Sequence, residues 1–228
     1  MSTRVQWLGH SCLLIESDGH RVLIDPFLTD NPAAAAKADD VAADFILVSH
    51  GHGDHVGDTE SIARRTGATV ITNYEIANWF QGRGLKKVHG QQHGGSHTFP
   101  FGRAKLTLAF HGSVLPDGSY GGNPCGFHLF FNDGTKVYDA ADTSLFGDMR
   151  LIGEEGIDLA ILPIGDNYTM GPDDALRAVR LLRPKRVLPI HYNTWDLIAQ
   201  DADAWASRVK QETDTVPVVL KPGGWVDL

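Results

Sequence analysis

Residues 46–58 read ILVSHGHGDHVGD, and this stretch decides both the fold and the chemistry of the chain. Three histidines and one aspartate fall within six residues of it: His50, His52, Asp54 and His55. The apolar run 45–48 before them predicts a buried strand. Residues 59–66 after them predict a short helix that ends at Gly67. The cluster is therefore expected on a loop at the end of a sheet, where functional residues are common.

The spacing of these side chains favours metal binding. In an extended segment, residues two apart point the same way, so His50 and His52 can converge on one ion. The glycines between them allow a sharp turn, after which Asp54 and His55 can face a second point nearby. Such a ligand set suits zinc, or manganese or iron if more oxygen ligands join. The alternative is a surface cluster whose rings bond separately to the backbone, and the tight motif argues against it.

The rest of the chain predicts two similar halves. Each half begins with a hairpin, marked by Asp-Gly pairs at 18–19 and 133–134, and continues with alternating strands and helices. This order predicts two sheets packed face to face with helices outside. The alanine-rich residues 31–44 are expected to form a short surface helix or a loop, and residues 91–97 a polar loop. No change of composition marks a linker, so residues 1–228 are predicted to form one domain.

Composition narrows the function classes. The net charge is −8, and the 20 lysines and arginines form no basic block, so nucleic-acid binding is not predicted. Cys12 and Cys125 are too few for a disulfide framework and are expected to be buried thiols. We see neither a signal peptide nor an apolar run of about 18 residues, which predicts a cytoplasmic protein without membrane association. A small-molecule substrate is the expected partner, and a homo-oligomer is left open.

The pattern His50-x-His52-x-Asp54-His55 resembles the signature of the metallo-β-lactamase superfamily. This resemblance, which runs through the whole chain, implies an α/β fold: a four-layer αββα sandwich of two mixed β-sheets flanked by helices. It also implies three further ligands, each placed just after a strand. The sequence offers one candidate at each of these places: His111, Asp142 and His191.

The resemblance divides the seven side chains between two divalent metal ions, with zinc favoured over manganese or iron. Three histidines would hold the first ion: His50, His52 and His111. Three other side chains would hold the second: Asp54, His55 and His191. Asp142 would bridge both. Taken alone, a histidine after a strand is more often a structural residue, and Asp142 could merely cap a turn.

Such a site predicts a metal-dependent hydrolase. A hydroxide that bridges two metals would be the nucleophile, and Asp54 would orient it and pass a proton to the leaving group. The expected target is an ester-type bond in a lactone or a phosphoester. One alternative is an iron-dependent oxidoreductase on the same fold, although di-iron members carry Glu where this chain has His52. The other is a metal-binding module without turnover.

Three further segments, 7–11, 23–28 and 141–149, resemble a branch of uncharacterised metal-dependent hydrolases that includes ascorbate-6-phosphate lactonases. In that branch His10 would lie near the metal pocket and contact the substrate; the alternative is a buried structural histidine. Asp25 is predicted to orient a ligand histidine rather than to bind metal. Asp166 either faces the active site or forms a turn.

Overall fold

The computed structural model describes residues 2–228, which form two seven-stranded β-sheets with helices on their outer faces. In chain order the strands are β1 (Arg4–Gly9), β2 (Cys12–Ser17), β3 (His20–Ile24), β4 (Phe45–Val48), β5 (Thr69–Asn73), β6 (Val88–Gln91), β7 (Ser96–Phe99), β8 (Gly102–Leu108), β9 (Cys125–Phe131), β10 (Lys136–Asp139), β11 (Leu159–Pro163), β12 (Arg186–Ile190), β13 (Val216–Pro217) and β14 (Trp225–Asp227). The helices are α1 (Gly53–Val56), α2 (Thr59–Thr66), α3 (Tyr74–Gly82), α4 (Met149–Glu154), α5 (Pro172–Leu182) and α6 (Ala202–Glu212). The predicted fold class is confirmed.

The two sheets have the same plan. The first has the strand order β14-β1-β2-β3-β4-β5-β6, and the second β13-β12-β11-β10-β9-β8-β7. Strands β1 to β3 pair antiparallel and β3 to β6 parallel, while β7 to β10 pair antiparallel and β10 to β13 parallel. In such sheets, ligands bind beyond the carboxyl ends of the parallel strands. The loops after β4, β10 and β12 are therefore placed for function.

Strand β4 shows why the sequence before the histidines is uniformly apolar. Phe45 and Leu47 point into the core between the sheets. Ile46 and Val48 belong to a second core on the outer face of the same sheet, beneath α2 and α3. A strand that is covered on both faces has no position for a polar side chain. This burial anchors the segment from which the first metal-ligand candidates project.

Helix α2 has the predicted bounds. Its C-cap, Gly67, has a φ of 73°, the left-handed conformation that glycine adopts without strain, and its N–H donates to the carbonyl of Ala63. Helix α3 begins after Asn73, whose side chain accepts a hydrogen bond from the N–H of Ile76.

The structure refines three local expectations. Residues 91–97 were predicted as a polar loop; residues 92–95 form that loop, while Gln91 ends β6 and Ser96 and His97 begin β7, the edge strands of the two sheets. Only Phe99 of β7 is buried, so the strand lacks the alternation that would have revealed it. Residues 31–44, expected to form a short surface helix or a loop, form a loop with one short 3₁₀ turn, Ala38–Asp40. The predicted histidine loop contains one helical turn, α1, which turns the chain after the first two histidines.

Both cysteines are buried free thiols, as predicted. Burial raises the pKa of Cys12 and Cys125 well above the ordinary thiol value, so neither is a ready nucleophile. Within residues 2–228, none of the helices has the length and apolar composition that crossing a bilayer would require.

His128 on β9 is a buried histidine remote in sequence from the cluster of residues 50–55. Its ring lies 4.2 Å from the ring of Phe130. Burial lowers the pKa of His128 to about 4; Glu155 opposes this shift, whereas Lys105 and Arg103 add to it. The folded chain therefore holds this imidazole neutral over a range in which an unfolded chain would protonate it.

We expect His128 to make folding stability depend on pH. Folding lowers the pKa of His128, so its contribution to folding stability is fully present above about pH 6.5. The free energy of unfolding falls as the pH drops toward 4, by about 3 kcal/mol in total. His128→Leu should flatten this part of the curve. Urea unfolding between pH 4 and 8 measures it, with His97→Leu at an exposed histidine as the control. An unchanged slope in His128→Leu would contradict the assignment.

Candidate metal centre

Seven predicted ligands converge at one edge of the sandwich, and we call them the histidine–aspartate cluster: His50, His52, Asp54, His55, His111, Asp142 and His191. His50 and His52 lie between β4 and α1, and Asp54 and His55 lie within the single turn α1. The other three follow β8, β10 and β12. The cluster reaches the surface at His52, Asp54 and His111, while its other members are buried. It is therefore rooted in the core and open on one side.

One group within the cluster consists of His50, His52 and His111. His50 Nε2 lies 3.0 Å from His52 Nδ1, and the ring of His111 is 5.0 Å from both of the other rings. Ligand nitrogens around one tetrahedral zinc are about 3.3 Å apart, because zinc–nitrogen bonds are near 2 Å. The three rings therefore have the spacing that one metal ion requires.

A second group consists of Asp54, His55 and His191, and the structure adds His10 to it. His55 Nε2 lies 3.8 Å from Asp54 Oδ2, and the rings of His55 and His191 stack with centroids 6.0 Å apart. The three predicted side chains can therefore converge on one point beside the first group.

Asp142 lies between the two groups. Its Oδ2 is within 3.5 Å of the Nε2 atoms of three histidines, at 3.1 Å from His191, 3.3 Å from His55 and 3.5 Å from His111. Its side chain is almost fully buried. This is the position that a carboxylate bridging two cations would occupy.

The hydrogen bonds of the cluster leave polar atoms unmatched, which tests whether a metal fits there. Within residues 2–228, three buried atoms of the cluster have no hydrogen-bond partner: His55 Nε2, His191 Nδ1 and Asp142 Oδ1. Leaving a buried polar atom unpaired costs about 1–3 kcal/mol. Coordination would satisfy His55 Nε2 and Asp142 Oδ1, so the donor set fits divalent cations.

The protonation states within the cluster also bear on whether it can bind cations. Burial lowers the pKa of His50 and His111, which keeps both imidazoles neutral and able to bind a cation. Burial alone would also lower the pKa of His55, but Asp142 and Asp25 raise it well above its ordinary value. Burial would raise the pKa of Asp142, but His191 and His55 hold it far below its usual range. A buried anion is thus surrounded by imidazoles.

Asp25 and Ser49 fix the orientation of two of the histidines. Asp25 Oδ2 accepts hydrogen bonds from His55 Nδ1 at 2.7 Å and from Ser49 Oγ at 2.6 Å, and Asp25 Oδ1 accepts from the Ser49 N–H at 2.8 Å. Ser49 Oγ in turn accepts from His50 Nδ1 at 2.9 Å. Both Nδ1 atoms therefore carry a proton, and both Nε2 atoms face the cluster. The orienting role of Asp25 was predicted, whereas that of Ser49 was not.

His10 is fully buried and contacts Asp54. Its Nε2 lies 3.1 Å from Asp54 Oδ2, and its Nδ1 lies 2.8 Å from Thr194 Oγ1. Burial lowers the pKa of His10 to about 4, so the neutral ring donates to Asp54 and accepts from Thr194. This hydrogen bond in turn holds the pKa of Asp54 well below its ordinary value, against the effect of burial. A direct contact between His10 and substrate stays a prediction.

The backbone is strained where strands deliver these side chains. His10, Asp25, Ala141 and His191 all have φ between 44° and 54°, the left-handed region that side chains other than glycine avoid. Each such residue costs about 1–2 kcal/mol. Strain of this kind persists where the surrounding structure enforces it, and it clusters at functional sites.

Other candidate residues lie outside the cluster. Asp166 is exposed with a φ of 62°, its carbonyl accepts from the N–H of Thr169, and its side chain accepts from the N–H of Asn167, so it forms a turn. His93 Nε2 bonds to the Pro124 carbonyl, and His97 is exposed on β7. The structure thus favours a turn-forming role for Asp166, and it places the histidines of residues 91–97 outside the cluster.

Asp25→Asn is expected to weaken metal binding about 10–100-fold, the usual effect of removing a carboxylate that orients a ligand histidine. An amide presents one acceptor where the carboxylate has two, so the bonds to Ser49 and His55 cannot all be kept. Titration with a competing chromogenic chelator measures the affinity. Asp44→Asn, at a carboxylate that accepts from the Arg21 N–H at the opposite end of β4, is the matched control. Equal affinities for the two variants would contradict the orienting role.

Comparison with known proteins places this geometry in a family. A model of the β-lactamase superfamily domain matches residues 4–191. A UPF0173 metal-dependent hydrolase from Pelotomaculum thermopropionicum is 49% identical over 230 residues, which cover 99% of this chain and 100% of that protein. Another, from Thermus thermophilus, is 49% identical over 219 residues, or 96% of each chain.

A solved structure agrees with these relatives. Igni18, a metallo hydrolase from the archaeon Ignicoccus hospitalis, is 35% identical and superposes with a TM-score of 0.92, covering 100% of this chain and 99% of that one. The narrower resemblance to ascorbate-6-phosphate lactonases stays a prediction. The family model and the two full-length relatives are sufficient for the broader assignment: the chain belongs to the metallo-β-lactamase superfamily and, within it, to the UPF0173 metal-dependent hydrolases.

Proposed function

We propose that this protein hydrolyses an ester-type bond of a small molecule, with two divalent metal ions, preferably zinc, held by the histidine–aspartate cluster. The observation that carries the proposal is the position of Asp142. Its Oδ2 contacts histidines of both groups, and its Oδ1 has no hydrogen-bond partner within residues 2–228. A carboxylate placed between two sets of imidazoles fits a site for a pair of cations better than a site for one.

The proposed ligand sets follow the two groups. One ion would be held by His50, His52 and His111; the other by Asp54, His55 and His191; Asp142 would bridge them. When bound, such ions would supply an activated water and an electrophilic edge that polarises the substrate's carbonyl or phosphoryl oxygen. Hydrogen bonds from Nδ1 to Ser49 and Asp25 fix the directions in which His50 and His55 present Nε2 to the cluster. The protein's own contribution is therefore a rigid, preorganised ligand set.

Asp54 is the proposed proton-transfer group. It is the more accessible of the cluster's two carboxylates, with 28% of its side chain open to solvent, so a substrate can reach it. The hydrogen bond from His10 keeps it ionised and fixes its direction. An ionised, oriented carboxylate can accept a proton from the attacking water and return it to the departing oxygen. Thr194, through His10, acts as a positioning residue for this carboxylate.

Two alternatives predict different behaviour. An iron-dependent oxidoreductase would consume dioxygen. Di-iron members of the fold carry Glu at the position that His52 occupies in this chain, which argues against this alternative. A metal-binding module would hold its ions without turnover. The open side at His52, Asp54 and His111 favours an enzyme, because a storage or structural site would be closed.

Metal analysis tests the proposal directly. Plasma emission on the purified protein, after loading with zinc and desalting, is expected to find about two ions per chain. His50→Ala should lose at least one of them, whereas His97→Ala, at an exposed histidine outside the cluster, should lose none. Retention of both ions in His50→Ala would count against the ligand assignment. Oxygen consumption by the iron-loaded protein, without ester cleavage, would favour the oxidoreductase.

A further inference from the structure

The loop segments next to the cluster contain no lysine or arginine. Six segments surround it at the strand ends: 25–36, 49–58, 109–124, 140–149, 164–172 and 191–201. None contains lysine or arginine, although the chain has 20 of them, and aspartate is the charged residue type that occurs there. Arginine and lysine are the side chains with which proteins most often hold phosphate groups. A phosphate away from the metals would meet only negative charge at this site.

An apolar wall stands beside Asp54. Trp195 is 41% exposed, and its ring lies 5.0 Å from the ring of His10, which contacts Asp54. The half-buried Phe27 lies 5.8 Å from His10 and 6.2 Å from Trp195. Three packed rings thus border the proposed proton-transfer group, with the Trp195 ring partly open to solvent.

A second set of apolar side chains lies beside the group formed by His50, His52 and His111. Phe110 directly precedes His111 and is 56% exposed. Its N–H donates to Thr143 Oγ1, and its ring rests on Phe146 at 5.3 Å, so its position is fixed although its ring is open to solvent. Val114 is 51% exposed, and its backbone packs so closely on Gly51 that an added Cβ there would lie 3.0 Å from the Val114 carbonyl.

We name these four side chains the apolar rim: Phe27, Phe110, Val114 and Trp195. Exposed aromatic rings held in place beside a reactive site are suited to bury an apolar part of a ligand, since removing apolar surface from water is favourable by about 25 cal/mol per Å². The rim flanks both groups of the cluster, so an acyl chain attached to the reacting carbon would reach it.

Building on the hydrolase function proposed above, we propose that the substrate is an uncharged carboxylic ester or lactone with an apolar acyl group, and not a phosphorylated compound. In the reaction, the oxygen of water forms a bond to the acyl carbon and the bond from that carbon to the alkoxide oxygen breaks. One O–H bond of the water breaks, and that proton passes to the alkoxide. The products are a carboxylic acid and an alcohol, joined as one hydroxy acid when the substrate is a lactone.

A set of probes with one leaving group tests the substrate class. The zinc-loaded protein is assayed with p-nitrophenyl acetate, p-nitrophenyl hexanoate, p-nitrophenyl phosphate and bis(p-nitrophenyl) phosphate, and then with δ-decalactone against 6-phosphogluconolactone. We expect kcat/KM for the hexanoate to exceed that for the acetate by about tenfold, since buried methylenes contribute about 0.8 kcal/mol each and the rim covers only part of the chain. The phosphate esters and the phosphorylated lactone should be the poorest substrates.

The outcomes separate the two proposals. Preference for a phosphate ester or for the phosphorylated lactone would overturn the substrate class and leave the hydrolase intact. Equal rates for acetate and hexanoate would overturn the role of the apolar rim. No cleavage of any probe at full metal loading would overturn the hydrolase proposal, and the substrate class with it.

Variants of the rim provide a second readout. Trp195→Ala and Phe110→Ala should each lower kcat/KM for the hexanoate about tenfold, mainly through KM, and change the acetate rate less than about threefold. Calorimetry should show the same loss in binding of hexanoate, the reaction product, while zinc content stays constant. Val216→Ala, an exposed apolar residue on the edge strand β13, is the control and should leave both values unchanged. Equal losses for acetate and hexanoate would contradict the proposed contact.

Discussion

Asp142→Asn is expected to abolish the binding of at least one metal ion and to lower kcat/KM for ester cleavage by about a thousandfold or more, the effect of losing several kcal/mol of charge stabilisation. The reason is geometric. One oxygen of Asp142 contacts His55, His111 and His191, so both groups of the cluster depend on it. Asparagine keeps the shape of the side chain but removes the negative charge.

Zinc content by plasma emission and initial rates on p-nitrophenyl hexanoate measure the two effects together. Asp39→Asn, the same substitution at an exposed aspartate in the 3₁₀ turn Ala38–Asp40, should match the wild type in both. Circular dichroism shows whether the variant is folded. A folded Asp142→Asn protein that keeps two ions and its rate would refute the bridging position.

Asp54→Asn is expected to reveal proton transfer through its dependence on the leaving group. A p-nitrophenolate ion departs without being protonated, whereas the alkoxide of a lactone needs a proton as the bond breaks. General acid–base catalysis contributes about 10²–10⁴-fold. We therefore expect a loss of that size on δ-decalactone and a clearly smaller loss on p-nitrophenyl hexanoate.

Thr194→Val is a second, milder variant that perturbs Asp54 indirectly through His10. It keeps the volume of the side chain but removes the hydroxyl that bonds to His10 Nδ1, so His10 loses part of its orientation toward Asp54. Its losses should follow the same order on the two substrates and be smaller than those of Asp54→Asn. If Asp54→Asn lost the same factor on both substrates, Asp54 would act as a metal ligand alone.

Much of this site was predictable from local sequence. The four side chains of residues 50–55 are neighbours along the chain, so their spacing alone brought them together, and the apolar strand before them marked the place. His111, Asp142 and His191 were predicted as ligands through the family resemblance, in which each follows a strand. Strand ends are detectable because buried strands have continuous apolar runs.

The edge strands show where local patterns stop being informative. Gln91, which ends β6, and Ser96 and His97, which begin β7, were included in a predicted polar loop, because hydrophobic alternation is weak in both strands. What makes them strands is backbone pairing with β5 and β8, which no side-chain pattern in these residues records.

The sequence by itself predicted the seven candidate metal ligands and the order of the strands that precede them, and it shows the lack of lysine and arginine in the segments next to them. Only the tertiary structure decided that Ser49 orients His50, that His10 reaches Asp54 across 44 residues and Thr194 across 184, and that Phe110 and Trp195 flank the two groups. The physical reason is that these contacts depend on segments that are distant in the chain: Asp25, which follows β3, orients Ser49, while His10, Asp54 and Thr194 follow β1, β4 and β12. Their distances depend on how the whole core packs, and local propensity carries no information about that packing.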